Sequence, residues 1–325
     1  MWLRPLRRVF TSRTVVATMN RIISISISIA LLGGSGCVSD AEEGASPAPA
    51  PAAEAPTYDG DYFDGEGFVL PESHVNVVRR ISVTTESSPG VAMGFDLDAR
   101  VSEPGDAETC NHGDLLDPSG VMGVDNQLAR MWPALEPLVG TAVEGLIQGA
   151  IDEGRMLMML ELSGVDDLQN DEDVTFSLFS GLLDPDVGVE GLIPDQTFYY
   201  DYGRPSSSVE GVQIVAGELL AGPVRLQIPL NILDARFNLD ILDGWVRITI
   251  DEDGSFDGIL GGAFNVDDVL GQLLDTGAAA ETRLVSPIFE ANADMGLEDG
   301  RCTLFSTAFE FEGTTAFVVR EPDHQ

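Results

Sequence analysis

Apolar residues in this chain recur at every second position, run after run, and that period is the strongest constraint on its fold. The clearest run is Val224-Arg-Leu-Gln-Ile-Pro-Leu-Asn-Ile232. Val75, Val77, Ile81 and Val83 share one face of an earlier run, and Val91, Met93, Phe95 and Leu97 share a face of the next. Ser-Ser-Pro-Gly between these two reads as a hairpin turn. Alternation returns at Val174, Phe176 and Leu178, at Phe198, Tyr200 and Tyr202, and at Phe237, Leu239 and Ile241. Val246, Ile248 and Ile250 then lead through the turn Asp251-Glu-Asp-Gly254 onto Ser255–Leu260. Met156–Leu160 is continuously apolar, as a strand buried on both faces should be, and Thr303–Phe311 and Thr314–Val319 read as two closing strands. Pro229 has no N–H to give a ladder, which suits an edge strand or a bulge. Side chains of a strand point alternately to opposite faces, so each run must bury one face against another sheet. The expectation is a mainly β fold, an antiparallel β-sandwich or flattened barrel.

Two stretches break the period. From Gln127 to about Glu153, Leu135, Leu138, Val139, Val143, Leu146, Ile147 and Ile151 fall on one helical face, with Asp125 or Asn126 as the N-cap. Pro133 and Pro137 divide this insertion into two short helices. Val266–Leu274 reads as a second, short helical element. No second linker interrupts the chain after residue 69, so residues 69–325 are expected to form a single β-rich domain.

The first 68 residues have another character. Ile22–Leu32 is an apolar run of signal-peptide length, preceded by a positive flank and followed by small residues. Leu-Leu-Gly-Gly-Ser-Gly-Cys37 resembles the lipobox of bacterial lipoproteins, with Gly34 standing where that pattern usually has leucine. The resemblance implies a signal peptide over residues 1–36, with Met19 a candidate true start, and lipidation of Cys37. Val38 in place of aspartate favours the outer membrane. Residues 37–68 include Ser-Pro-Ala-Pro-Ala-Pro-Ala-Ala-Glu-Ala-Pro, which carries too little apolar mass to fold and reads as a spacer. A chain so built is anchored to a membrane rather than spanning it.

Charge narrows the partners. All 17 basic residues are arginine, and five of them precede residue 37, where no Asp or Glu occurs; the rest of the chain carries 12 basic against 54 acidic residues, net −42. Such a field repels nucleic acid and anionic surfaces and attracts cations. A solvated acidic surface and a divalent-cation site both fit it.

With Cys37 lipidated, Cys110 and Cys302 remain as an even pair in an oxidising compartment, and a disulfide between them is expected, against two buried free thiols. That bond would draw Asp114, Asp117 and Asp125 toward Asp294, Glu298 and Asp299. Calcium takes six to eight oxygens and tolerates irregular loops, so Asp114, Asp117, Asp125, Asn126 and Asp299 are candidate ligands of a structural Ca²⁺. The loop lacks the EF-hand register, and the competing reading makes these residues turn formers and caps. Asp251, Asp253 and Asp257 read first as a hairpin turn. His112 beside Cys110 invites a zinc or catalytic reading, but zinc needs about three or four ligands and only His74 and His324 remain as further histidines. There is no Gly-x-Ser-x-Gly, P-loop, His-Glu-x-x-His or Cys-x-x-Cys motif.

Gly123-Val-Asp-Asn-Gln-Leu128 and Glu298-Asp-Gly-Arg-Cys302 with the strand that follows resemble uncharacterised lipoproteins of large Gram-negative genomes, over roughly residues 105–320. The resemblance implies an extracytoplasmic β-rich body with a joined cysteine pair, and no activity. The function expected is therefore that of a lipid-anchored cell-envelope protein with a binding or structural role, facing an envelope protein or glycan, and not an enzyme. The alternatives are an extracytoplasmic glycan hydrolase using a carboxylate pair and a carrier of an apolar ligand.

Overall fold

The computed structural model describes residues 73–107, 110–135, 141–232, 235–277 and 279–320. The expected signal peptide and spacer, with Cys37 and His324, lie outside the described residues. The strands in chain order are β1 (Ser73–Val83), β2 (Leu115–Leu116), β3 (Met122–Val124), β4 (Met158–Ser163), β5 (Asn170–Leu182), β6 (Val187–Gly188) and β7 (Gly191–Leu192). They continue with β8 (Gln196–Tyr200), β9 (Ser207–Val215), β10 (Glu218–Ile232), β11 (Ala235–Ile250), β12 (Phe256–Asn265), β13 (Met295–Glu298) and β14 (Arg301–Val319). The helices are α1 (Gln127–Leu135), α2 (Thr141–Asp152), α3 (Val266–Asp275) and α4 (Ala279–Asn292).

Eight of these strands close into an antiparallel barrel. Its wall runs β1, β4, β5, β9, β10, β11, β12 and β14, each paired with the next, and β14 returns to β1 with Val75 opposite Ala316 and Val83 opposite Phe309. The wall strands keep their chain order, β9 to β12 through short turns and β1 to β4 and β12 to β14 through the helical insertions, and closure leaves few free edges. β8 lies off this path. It pairs in parallel with Ala316–Val319 of β14 and antiparallel with Gly181 and Leu182 of β5, tying strands that β1 and β4 separate in the wall. At the other seam the wall is thin: β9 and β10 pair only at Val215–Glu218 and Ile214–Leu219. Pro229 therefore sits where β10 has β11 as its one partner, as a residue without an N–H requires.

The alternation decides which face is buried. Val246, Ile248 and Ile250 point inward and are buried, whereas Thr249 is exposed. Phe176, Phe256, Phe305, Leu160 and Leu162 are fully buried, each contributing about 1.5–3 kcal/mol. An eight-stranded barrel is just wide enough for side chains to fill. Outward positions such as Arg80, Asp257, Glu310 and Glu312 carry charge, the reverse of a strand set that faces lipid. Buried Asn76 donates to the Gly254 carbonyl (3.0 Å) and accepts from the Phe256 N–H (3.1 Å), fixing the β11–β12 turn to β1. α2 touches β1 and β10 on opposite walls, and its Ile147, Ala150 and Ile151 join the core. α3 and α4 dock on β11, β12 and β14. There Phe264, Phe289 and Phe305 interlock with centroids 5.2–5.9 Å apart.

The fold class agrees with the alternating period, and three local expectations do not. Val91–Leu97 forms no strand beside β1, because β4 and β14 already occupy both edges of β1. The segment makes isolated bridges, Val91 to Ser88 and to Leu116 and Phe95 to Asp125. The two closing strands are one, β14, running through Gly313; a Cβ there would meet the Phe256 carbonyl at 3.0 Å, so glycine marks a close approach and not a turn. Helix α4 had no counterpart in the sequence reading. The two-helix insertion is found, with Asn126 as the cap: its Oδ1 accepts from the Ala129 N–H at 3.0 Å.

Candidate functional site

The segment from Val91 to Gln127 lies on the outer wall of β11 and β12. Gly261 makes room for it: a Cβ there would stand 3.0 Å from the Phe95 ring. Cys110 is bonded to Cys302, with Cα atoms 6.0 Å apart, which fastens the segment to the start of β14. Asn126 Nδ2 donates to Met93 O (2.8 Å) and to Thr84 Oγ1, and the Gln127 N–H donates to Ser306 Oγ at 2.8 Å. Ser306 in turn donates through its N–H (2.9 Å) and its hydroxyl to the two oxygens of Asp294. These bonds hold the N-terminus of α1 and the acidic loop in one frame.

Within that frame Asp96, Asp98 and Asp125 converge, each offering a carboxylate oxygen within 4.8 Å of the others. Oxygens that ligate one calcium at 2.3–2.6 Å lie at most about 5 Å apart, so this spacing suits a single hard cation. Asp125 is buried, and its Oδ2 accepts from the Leu97 N–H at 2.7 Å. Burial pushes its carboxyl up to about 8, aided by the charges of Asp98, Asp114 and Asp294 and opposed by the Leu97 hydrogen bond. Asp114 is also raised, first by burial and then by Asp98 and Asp96, although its Oδ2 accepts from the Ser102 N–H. Arg130 helps little here, because its guanidinium donates to the Asp114 carbonyl (3.2 Å) and the Gly113 carbonyl, fixing the backbone. On the other side of Asp125 a cavity of about 10 Å³ is lined by His112, Asp114, Gln127, Arg130 and Asp294. Burial raises Asp294 to about 6 against its Ser306 bonds, and burial lowers His112.

The sequence candidates are distributed unevenly. Asp125 stands in the cluster and Asp114 beside it. Asp117 turns away: its Oδ1 accepts from the Ser119 N–H (2.8 Å) and its Oδ2 faces Arg247 at 3.8 Å. Asn126 is spent on its cap, and Asp299 occupies the β13–β14 turn at φ 50°. Asp96 and Asp98 are the participants that sequence reasoning missed. His112 Nδ1 sits 3.2 Å from Gln127 Nε2, the local contact expected of a loop histidine. Asp253 accepts from the Ser255 N–H (3.0 Å) and hydroxyl (2.6 Å) inside a closed hairpin turn. Comparison with protein-family models, curated proteins and solved structures finds no match to this chain.

Proposed function

We propose that this chain is a lipid-anchored protein of the cell envelope, binding or structural in role, whose barrel carries an acidic loop organised by calcium. The signal-like leader, Cys37 and the Pro/Ala spacer support the anchor, and the charged outer wall suits a body held beside a membrane rather than within it. The observation that carries the calcium reading is the convergence of Asp96, Asp98 and buried Asp125 within 4.8 Å. Three carboxylates in such proximity repel one another, and a divalent ion removes the repulsion while supplying what burial takes from Asp125. Asp114 and backbone carbonyls of the loop are further oxygens within the same frame. The test is calorimetric titration of the chain with calcium, together with its melting temperature in calcium and in chelator. Heat release and a higher melting temperature are expected, both lost in Asp98→Asn. Equal melting in calcium and chelator, without heat, removes the ion from the proposal.

The hydrolase reading draws on one observation, the raised carboxyls of Asp125 and Asp294 beside a common cavity. That cavity, about 10 Å³, holds about one water molecule and not a sugar ring. The carrier reading meets a barrel whose interior is occupied by its own phenylalanine and aliphatic side chains. Binding at the surface is the reading that remains best supported.

A further inference from the structure

We propose that the outer face formed by β9, β10, β11 and the β2–β3 arm docks a cationic, amphipathic segment of a partner protein. Two open grooves, of about 650 and 570 Å³, adjoin there and share Glu218, Leu220 and Arg247. Their apolar surface is unusually bare for a soluble face. Val121 is 60% exposed, Met122 63%, Val215 62% and Leu220 49%. Trp245 adds a half-buried ring that rests against Gly222, where a Cβ would fall 2.5 Å from its Cδ2. Contiguous exposed apolar area of this kind marks a binding surface, and the unbranched side chain of Met122 adapts to varied partners.

The rim names the partner's charge. Asp96, Glu210 and Glu218 line the two grooves and are exposed, whereas Asp117 between them is buried. Arg247, the basic residue shared by both, is already engaged, with its guanidinium 5.4 Å from the Phe95 ring centre and 3.8 Å from Asp117. An apolar floor inside an acidic rim complements a segment with leucine-like residues on one side and lysine or arginine on the other. The chain's own spacer does not fit, since Asp59, Asp61, Asp64 and Glu66 would meet like charge. A second copy brings the same acidic rim and is repelled for the same reason. Residues 37–325, at net −42, set up a field that would draw a cationic segment from a distance and orient it on approach.

The inference rests on the reading of this chain as a binding protein and not on the calcium site. Its test titrates the full chain, in chelator, with a short leucine/lysine amphipathic peptide and with its leucine/glutamate counterpart, following Trp fluorescence and calorimetric heat. The lysine peptide is expected to bind and the glutamate peptide not to bind. Met122→Ser/Leu220→Ser is expected to weaken binding about tenfold, because the apolar anchors carry the affinity. Glu210→Gln/Glu218→Gln is expected to weaken it several-fold and to flatten its dependence on salt. Thermal melts confirm that both variants fold. Equal binding of the two peptides, or undiminished binding to the Ser/Ser variant, overturns the proposal: the first shows no charge selection, the second shows diffuse attraction elsewhere on an acidic body. Failure here with a positive calcium titration removes the docking face alone.

Discussion

Asp125 supplies the sharpest perturbation, because its carboxyl is buried, hydrogen-bonded by one backbone N–H and surrounded by other acids. Its ordinary value is 3.8 and the folded chain raises it to about 8. A raised carboxyl works against the fold as pH rises. Below 3.8 the proton is bound in both states and nothing is lost; between 3.8 and 8 the unfolded chain releases the proton that the folded chain keeps; above 8 the cost levels off. Each pH unit in that window costs about 1.4 kcal/mol, so at pH 7 the penalty is on the order of 4 kcal/mol. Asp125→Asn removes the titration yet keeps an oxygen to accept from the Leu97 N–H. In chelator the variant is therefore expected to exceed the parent by about 4 kcal/mol at pH 7, with the gap closing toward pH 4. Urea denaturation of the two proteins at about pH 4, 7 and 8.5 measures it, and subtracting one profile from the other cancels the background of every group not coupled to Asp125. In saturating calcium the order should narrow or reverse, because the ion binds the ionised carboxylate that asparagine lacks. A pH-independent difference between variant and parent would refute the reasoning, since it would mean that the Asp125 proton is not linked to folding.

Two further outcomes follow from single bonds. Replacing both Cys110 and Cys302 with serine opens a loop spanning 192 residues, and the chain-entropy model puts the loss at about 5 kcal/mol, read as a drop in the urea midpoint with a steeper slope, because the unfolded chain is no longer held compact. Arg320→Ala strands Glu161, whose side chain is 6% exposed and faces Arg320 from β4. Because Arg320 is itself 41% exposed, a loss of about 1–3 kcal/mol is expected, partly recovered by adding Glu161→Gln, and the pair of denaturation curves checks both halves.

What could be read from the chain depended on whether the cause was local. Strand identity is local: the pleat puts neighbours on opposite faces, so Val246, Ile248 and Ile250 announced an inward face before any partner was known. Cap chemistry is local as well, and Asn126 before Gln127 carried it. Barrel closure is not local. That β14 returns to β1 depends on a register set over the whole length of the domain, and a sandwich and a barrel present the same alternation in each strand. Helix α4 was invisible for a related reason. Ala279-Ala-Glu-Thr-Arg has no strong apolar stripe, and its docking rests on Phe289 meeting Phe264 and Phe305 from distant strands.

The missed carboxylates show how a correct local rule misleads. Met93-Gly-Phe95-Asp-Leu97-Asp98 has the alternation of a half-buried strand, which assigns Asp96 and Asp98 to solvent as an unremarkable polar face. The rule holds only if an edge is available to pair with, and β1 has none left once β4 and β14 flank it. Deprived of a ladder, the segment bridges instead to Asp125, and the Leu97 N–H is satisfied by that carboxylate and not by a neighbouring strand. The same substitution that costs the segment its strand brings two further acids to Asp125. The pairing of β1 with β4 and β14 and the gathering of the acids around Asp125 are thus linked in this fold: the same occupied edges that deny the segment a ladder leave Asp96 and Asp98 beside the buried carboxylate.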